Sequence, residues 1–286
     1  EGAISLFEPV NFSAWQDLPE GGRVRLLPAG HILGAALVDL ECGGVHILPS
    51  GDLGQGDHPL LVGPHIIPDV EYDAVLVEST YGDRVHPPRD NSLSEIVTAT
   101  IERGGTGLIP AFAVDRTEVL LHAINEAMDA GEMPRVPIYV DSPMAIEALT
   151  VYRHAIDRDH REIRPEIRDH LSAADVFNPG TLETLRTPEE SKSINGAPPC
   201  IIISASGMAT GGRVLHHLKR LLPDPLSSVV LVGYQAVGTR GAQLRDGAEQ
   251  VRIHGEDVPV RAEVHDVAMF SVHADRNDVL GWLASA

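Results

Sequence analysis

The chain has 286 residues, 43% of them hydrophobic, enough for one large or two medium domains with a sizeable core. Its 41 acidic against 22 basic residues give a formal net charge of −19, which argues against tight, sequence-blind duplex binding unless a local cationic groove or bound metal ions override the global sign. No apolar run reaches bilayer-spanning length and no basic-then-apolar leader opens the sequence, so no membrane is expected and the cytoplasm is the expected compartment.

Short β-rich runs alternate with helical patterns from one end to the other. Strands are predicted at 23–29, 36–41, 45–48, 74–78, 107–110, 137–140, 200–204 and 229–232. Several are continuous apolar runs, which suits strands covered on both faces, and the fold class is therefore α/β. Helices are predicted over 91–103, ending at Gly104-Gly105, and over 115–130, capped by Asp115 and stopped at Gly131. A longer helical stretch covers 143–171, broken before Pro165. The polar segment 177–197 reads as a loop, and 258–264 reads as a strand. Cys42 and Cys200 lie far apart and are expected to be buried free thiols. The first residue is Glu1 and the apolar helical pattern at Trp282-Leu283 has no stop signal, so both ends read as cuts through a larger fold.

Four short motifs carry polar side chains where chemistry gathers. His31 lies between glycines in Pro28-Ala29-Gly30-His31-Ile32-Leu33-Gly34, at a corner between strands. Asp52 follows an apolar strand in Leu48-Pro49-Ser50-Gly51-Asp52-Leu53-Gly54, where a carboxylate is a competent zinc ligand and a plain turn is the bland alternative. Glu78 ends another apolar strand in Val77-Glu78-Ser79-Thr80-Tyr81-Gly82-Asp83-Arg84, well placed to orient a histidine. His273, in Phe270-Ser271-Val272-His273-Ala274-Asp275, meets the start of a helix, whose unpaired N–H groups would favour phosphate nearby.

In this order the motifs resemble the β-CASP branch of the metallo-β-lactamase superfamily, in the form of a bacterial RNA-metabolising enzyme. His31 and Asp52 resemble two of its metal motifs, and Glu78 and His273 resemble two motifs special to β-CASP proteins. The stretches Ile109–Arg116, Tyr139–Ala145 and Ser204–Arg213 are also similar to the family. The resemblance implies a partial αββα hydrolase domain over 1–87, a β-CASP cap over 88–255 and a return to the hydrolase with an RNA-specificity segment over 256–286. It also implies two zinc ions, single-stranded RNA as substrate, and metal-dependent hydrolysis of a phosphodiester. Asp52 would bridge the ions and His31 would hold one. His273, oriented by Glu78, would contact the scissile phosphate or protonate the leaving oxygen. Ser271, Ser206 and Gly207 would contact substrate phosphate, the last two from a Gly-rich turn that reads equally well as a tight turn before a core helix.

The departures matter as much. The sequence has 14 histidines but no His-x-His, the family's main ligand motif, and His254-Gly255-Glu256 precedes His273 and so does not match the ligand expected after it. Two matched ligands are fewer than the three or four of a tight zinc site, and the chain alone is expected to be a weak zinc binder with little activity. A non-catalytic relative that binds RNA or scaffolds a complex is the alternative. A homodimer is compatible with the sequence, since exposed sheet edges invite association. Arg116, Arg213, Lys219, Arg220 and Arg240 read individually as solvated surface charges, and His216-His217 as surface plus packing.

Overall fold

The computed structural model describes residues 4–19, 21–197 and 199–285. By contact the chain forms two compact units, Glu1–Val85 with Val272–Ala286, and His86–Ser271. No helix among the described residues is long and apolar enough to cross a membrane.

The first unit is a five-stranded sheet of β1 (Gln16–Asp17), β2 (Arg23–Pro28), β3 (Ala36–Cys42), β4 (Val45–Pro49) and β5 (Ala74–Leu76), in that spatial order. The first four run antiparallel and β5 joins β4 in parallel. One face carries Leu27, Leu37 and Leu48, which pack with Leu53, Ile67 and the last helix, Arg276–Leu283, through Val279 and Trp282. The Trp282 indole N–H donates to the His65 carbonyl at 2.8 Å, so its one polar atom is satisfied. Asp39 of β3 is fully buried and has hydrogen-bond partners on both adjacent strands. The guanidinium of Arg25 on β2 donates to it, and His46 Nε2 of β4 donates at 2.6 Å.

The second unit holds β6 (Gly107–Pro110), β7 (Ile138–Val140), β8 (Leu182–Thr184), β9 (Ile201–Ser204), β10 (Ser228–Leu231), β11 (Gln250–Ile253), β12 (Glu256–Pro259) and β13 (Glu263–Asp266). Its helices are α1 (Ser92–Glu102), α2 (Arg116–Asp129), α3 (Pro143–Asp157), α4 (Pro165–Arg168), α5 (Ala173–Phe177), α6 (Pro188–Ser193), α7 (Val214–Leu221) and α8 (Arg240–Arg245). Six strands make an all-parallel sheet in the order β13-β10-β6-β9-β7-β8, and β11 and β12 form a separate hairpin. Every residue of β6, β7, β9 and β10 is buried, as continuous apolar runs in doubly covered strands require.

Several local expectations are corrected. The break expected before Pro165 in the run 143–171 is present, and it is longer than a single kink: the first helix ends at Asp157, Asp159 has a φ of +53°, and the chain restarts with Pro165 in the first helical position. The segment 177–197 is ordered structure. It holds β8 and α6, and α6 opens on a capping box in which Thr187 and Glu190 bond reciprocally, with Pro188 beside the cap. The strand expected over 258–264 is divided between β12 and β13. Asp115 makes no side-chain cap, and its carboxylate instead accepts from the buried Tyr152 hydroxyl. Only 74–76 of the strand expected at 74–78 forms, and it is exposed at the sheet edge. Cys42 is exposed, whereas Cys200 is buried as expected, and both are free.

Inside α2, Glu118 is fully buried, and neither carboxylate oxygen has a hydrogen-bond partner among the described residues. Burial, and then the nearby Asp115 charge, push its pKa from 4.5 up to about 8. The folded chain therefore holds a proton that the unfolded chain releases above its lower pKa. Stability is fully present at acid pH, declines as pH rises towards about 8, and levels off beyond it. Glu118→Gln is expected to remove that slope, on the order of 1 kcal/mol per pH unit. Urea unfolding followed by circular dichroism between pH 5 and 8.5 checks this, and identical slopes for parent and variant would contradict it.

Candidate metal centre

Two carboxylates leave neighbouring strands side by side. β4 and β5 run parallel with Pro49 opposite Leu76, so the segments carrying Asp52 and Glu78 emerge together at the strands' carboxyl ends. Ser50 ties these exits. Its N–H donates to the Leu76 carbonyl at 2.8 Å, and its hydroxyl accepts from the Glu78 N–H at 3.1 Å. His31 comes from the turn between β2 and β3. There the Gly54 N–H donates to the Ala29 carbonyl at 2.9 Å, and the two backbones touch so closely that a Cβ on Gly54 would stand 1.9 Å from the Gly30 oxygen. Gly30 itself has a φ of +68°. His273 closes the ring, with Gly54 bridging it antiparallel and the Ala274 N–H donating to the Leu53 carbonyl at 2.7 Å.

These four side chains share one neighbourhood. The His31 and His273 rings lie 4.3 Å apart between centroids, and His31 Nε2 is 3.9 Å from an Asp52 carboxylate oxygen. Asp52, Glu78 and His273 each offer a ligand atom within 4.8 Å of the others. His31 Nδ1–H donates to the Val272 carbonyl at 3.3 Å, which turns Nε2 towards Asp52. His273 Nδ1–H donates to the Glu78 carboxylate, with both oxygens at 3.2 Å. Glu78 also accepts from the Leu53 N–H. Burial alone would raise the Glu78 pKa, but hydrogen bonds from His273, Thr80 and the Leu53 backbone hold it below the usual carboxylate range. Asp52 differs. Its side chain is 65% exposed, and its contact with His31 is its only polar contact among the described residues. An imidazole nitrogen fixed from behind by a carbonyl, next to an uncommitted carboxylate, is a donor pair that fits part of a zinc site.

The other expected site residues lie in the second unit. Ser271 is buried, and its hydroxyl has no hydrogen-bond partner among the described residues. Ser206 and Gly207 lie in a closed turn. The Ser206 hydroxyl is bonded to Thr210 through its hydroxyl at 3.0 Å and its N–H at 3.2 Å, and the Gly207 carbonyl accepts from Gln235 at 3.1 Å. The expectation that His273 borrows unpaired N–H groups from a helix start is corrected. That helix is capped by its own Asp275, which accepts from the Asn277 and Asp278 N–H groups at 2.7 and 3.0 Å. Arg116 and Arg213 are not solvated surface charges. Arg116 is buried against the Val232 carbonyl, and Arg213 pairs with Asp141 at 2.7 Å. Thr80 and Tyr81, not singled out from sequence, belong to the site as a partner of Glu78 and as a ring 6.1 Å from that of His273. Their signal was their place in the motif that carries Glu78.

The family model described as Beta-Casp domain matches residues 117–244, and the model described as Zn-dependent metallo-hydrolase RNA specificity domain matches 257–286. Among curated proteins the chain is 39% identical to Ribonuclease TTHA0252 of Thermus thermophilus, over 99% of this chain and 65% of that protein. It is 35% identical to an RNase J-like protein of Methanocaldococcus jannaschii, over 98% of this chain and 65% of that one. It is 32% identical to cleavage and polyadenylation specificity factor subunit 3 of Dictyostelium discoideum, over 89% of this chain and 32% of that protein. The chain thus spans just under two thirds of the first two relatives. A crystal structure of a protein of unknown function from Enterococcus faecalis V583 shares the fold, at a TM-score of 0.50 and 13% identity, over 97% of this chain and 59% of that one. The chain is a mixed α/β member of the metallo-β-lactamase superfamily carrying a β-CASP domain. Within that superfamily it belongs to the β-CASP group, whose named relatives here are RNA-processing proteins.

The backbone contact at Gly54 sets the separation of His31 and Asp52. Gly54→Ala has no room for its methyl, because the neighbour is backbone, and it is expected to destabilise the first unit by about 3 kcal/mol. Urea unfolding followed by tryptophan fluorescence reports on this unit, since Trp15 and Trp282 both lie in it. A change below about 0.5 kcal/mol would refute the contact.

Proposed function

We propose that this chain is part of a cytoplasmic, zinc-dependent hydrolase that cleaves phosphodiester bonds in single-stranded RNA. The observation that carries the reading is the convergence of His31, Asp52, Glu78 and His273, from four separate segments, on one site. A non-catalytic RNA-binding relative has little use for an uncommitted carboxylate beside two oriented imidazoles. We take residues 1–87 and 256–286 as the hydrolase portions and 88–255 as the β-CASP domain.

His31 Nε2 and Asp52 would hold zinc. Glu78 is less suited to ligation, because its oxygens are already engaged by Leu53 and His273. When bound, the zinc pair would supply Lewis-acid activation of water and neutralise phosphate charge. Glu78 holds the proton on His273 Nδ1 and so presents Nε2 to substrate. From there the imidazole contacts the scissile phosphate or, when protonated, gives a proton to the leaving oxygen. Ser271, Ser206 and Gly207 are assigned to substrate phosphate, Ser271 on the strength of its unbonded hydroxyl.

Two outcomes are expected. In the full gene product that carries these residues, His273→Ala abolishes cleavage of a single-stranded RNA while leaving zinc content unchanged, and loss of zinc by elemental analysis would reassign His273 to ligation. The 286-residue chain alone, lacking a His-x-His motif, binds zinc no tighter than the micromolar range. Calorimetric titration showing sub-micromolar binding of two ions would sink that expectation.

A further inference from the structure

We propose that a cavity in the second unit, bounded by α6, the turn Ile194–Gly196 and α7, binds a phosphate monoester of mononucleotide size. It stands independently of the ribonuclease reading. The cavity encloses about 480 Å³, within the range of small-molecule sites. In a chain of net charge −19 no acidic residue among the described residues lines it, while Lys192, Arg213, His216, His217 and Arg220 all do. The only other lysine in the sequence, Lys219, lies on the same helix, α7, as His216 and Arg220.

Which of these cations are already neutralised decides what the cavity can do. Asp141, fully buried, accepts from Arg213 at 2.7 Å, from His217 Nε2 at 2.6 Å and from Ser191 at 2.5 Å, so those three groups form a fixed wall. Lys219 is paired with Glu256 at 2.7 Å. Lys192 is left over, and Arg220 has no ion pair among the described residues, with Asp224 acting on it only through space. The Lys192 ammonium has no ion pair or hydrogen bond among the described residues, although its stem lines the cavity. Arg220 Nε and Nη2 are buried with no acceptor among the described residues, and its Nη1 reaches only the Asn195 carbonyl at 3.4 Å. Nε and Nη2 are shut off from the cavity, so Arg220 acts on an anion there through its charge and through Nη1. The positive field is felt by His216, whose ring lies 4.7 Å from that of His254. Burial first, and then His254, His217, Lys192 and Lys219, hold its imidazole below the usual histidine range. A dianion placed among these groups relieves that repulsion. The wall between the charged heads is mainly carbon, which suits a sugar or base beyond the phosphate.

The test titrates AMP, inorganic phosphate and adenosine into the EDTA-treated chain at low salt, followed by calorimetry. AMP is expected to bind, phosphate more weakly, and adenosine not at all. Lys192→Ala and Arg220→Met should each weaken AMP about tenfold or more, whereas Asp52→Asn should leave it unchanged. Lys192 is exposed, so its variant tests the proposal even if Arg220→Met, checked by circular dichroism, fails to fold. Absence of AMP binding at millimolar concentration, equal binding of adenosine, or indifference to Lys192→Ala would overturn the proposal. So would a 5′-phosphorylated trinucleotide that binds more tightly than AMP.

Discussion

The Glu78 carboxylate is the knot of the candidate centre. It accepts from the Leu53 N–H, which belongs to the segment after β4, and from His273 Nδ1, which belongs to the segment before the last helix. Glu78 itself follows β5, so one side chain joins three stretches of sequence that share no local connection. A neutral carboxyl would lose an acceptor and loosen all three. The hydrogen bonds from His273, Thr80 and Leu53 that need the charge also keep it, because they outweigh the cost of burial. The arrangement is self-consistent: the acid orients the histidine, and the histidine keeps the acid ionised.

Sequence carried the strands and the site's membership better than it carried the connections. Apolar runs such as Ile201–Ser204 are legible because a doubly covered strand needs no polar face, and that composition is hard to read any other way. The four polar residues that converge stand at strand exits and glycine corners, but each signal was weak alone and only their order, matching a known family, drew them together. Asp115 was misread, since an Asp before a helical pattern signals a cap, and only tertiary structure brings Tyr152 to compete for that carboxylate. Segment 177–197 was misread in the opposite direction. Its polarity suggested a loop, although Thr187-Pro188-Glu189-Glu190 is a complete helix-start signal. Arg116 and Arg213 were misread as surface charges because sequence does not reveal which carbonyls and carboxylates will be buried with them.

A strongly acidic chain differs in what it places beside its buried acids. Asp39 has Arg25 and His46 beside it. Asp141 has Arg213 and His217, and these with Ser191 hold it below the usual range against the pull of burial. Glu118 has no cation, only another acid nearby, and so keeps its proton well into the neutral range. The difference is one of partners, since all three are fully buried. Concentrating cations on Asp141 also leaves the surface of α7 with more positive charge than negative, in a molecule whose sum runs the other way.

Asp52 and Asp141 make the same point about strand exits. Each follows the carboxyl end of a strand that has parallel neighbours, the position where open sheets collect reactive groups. Position alone does not make a site. Asp141 is inaccessible and its oxygens are engaged by three donors, so it acts as a clamp. Asp52 is largely open and bonded to nothing but the neighbouring His31, so its lone pairs remain for an incoming cation. What distinguishes the two is whether the fold has already spent the carboxylate. Around Asp52 it has not: the N–H of Leu53, the adjacent residue, goes to Glu78 instead. The acid nearest His31 thus keeps its lone pairs, whereas the acid behind His273 is bonded to Leu53 and His273.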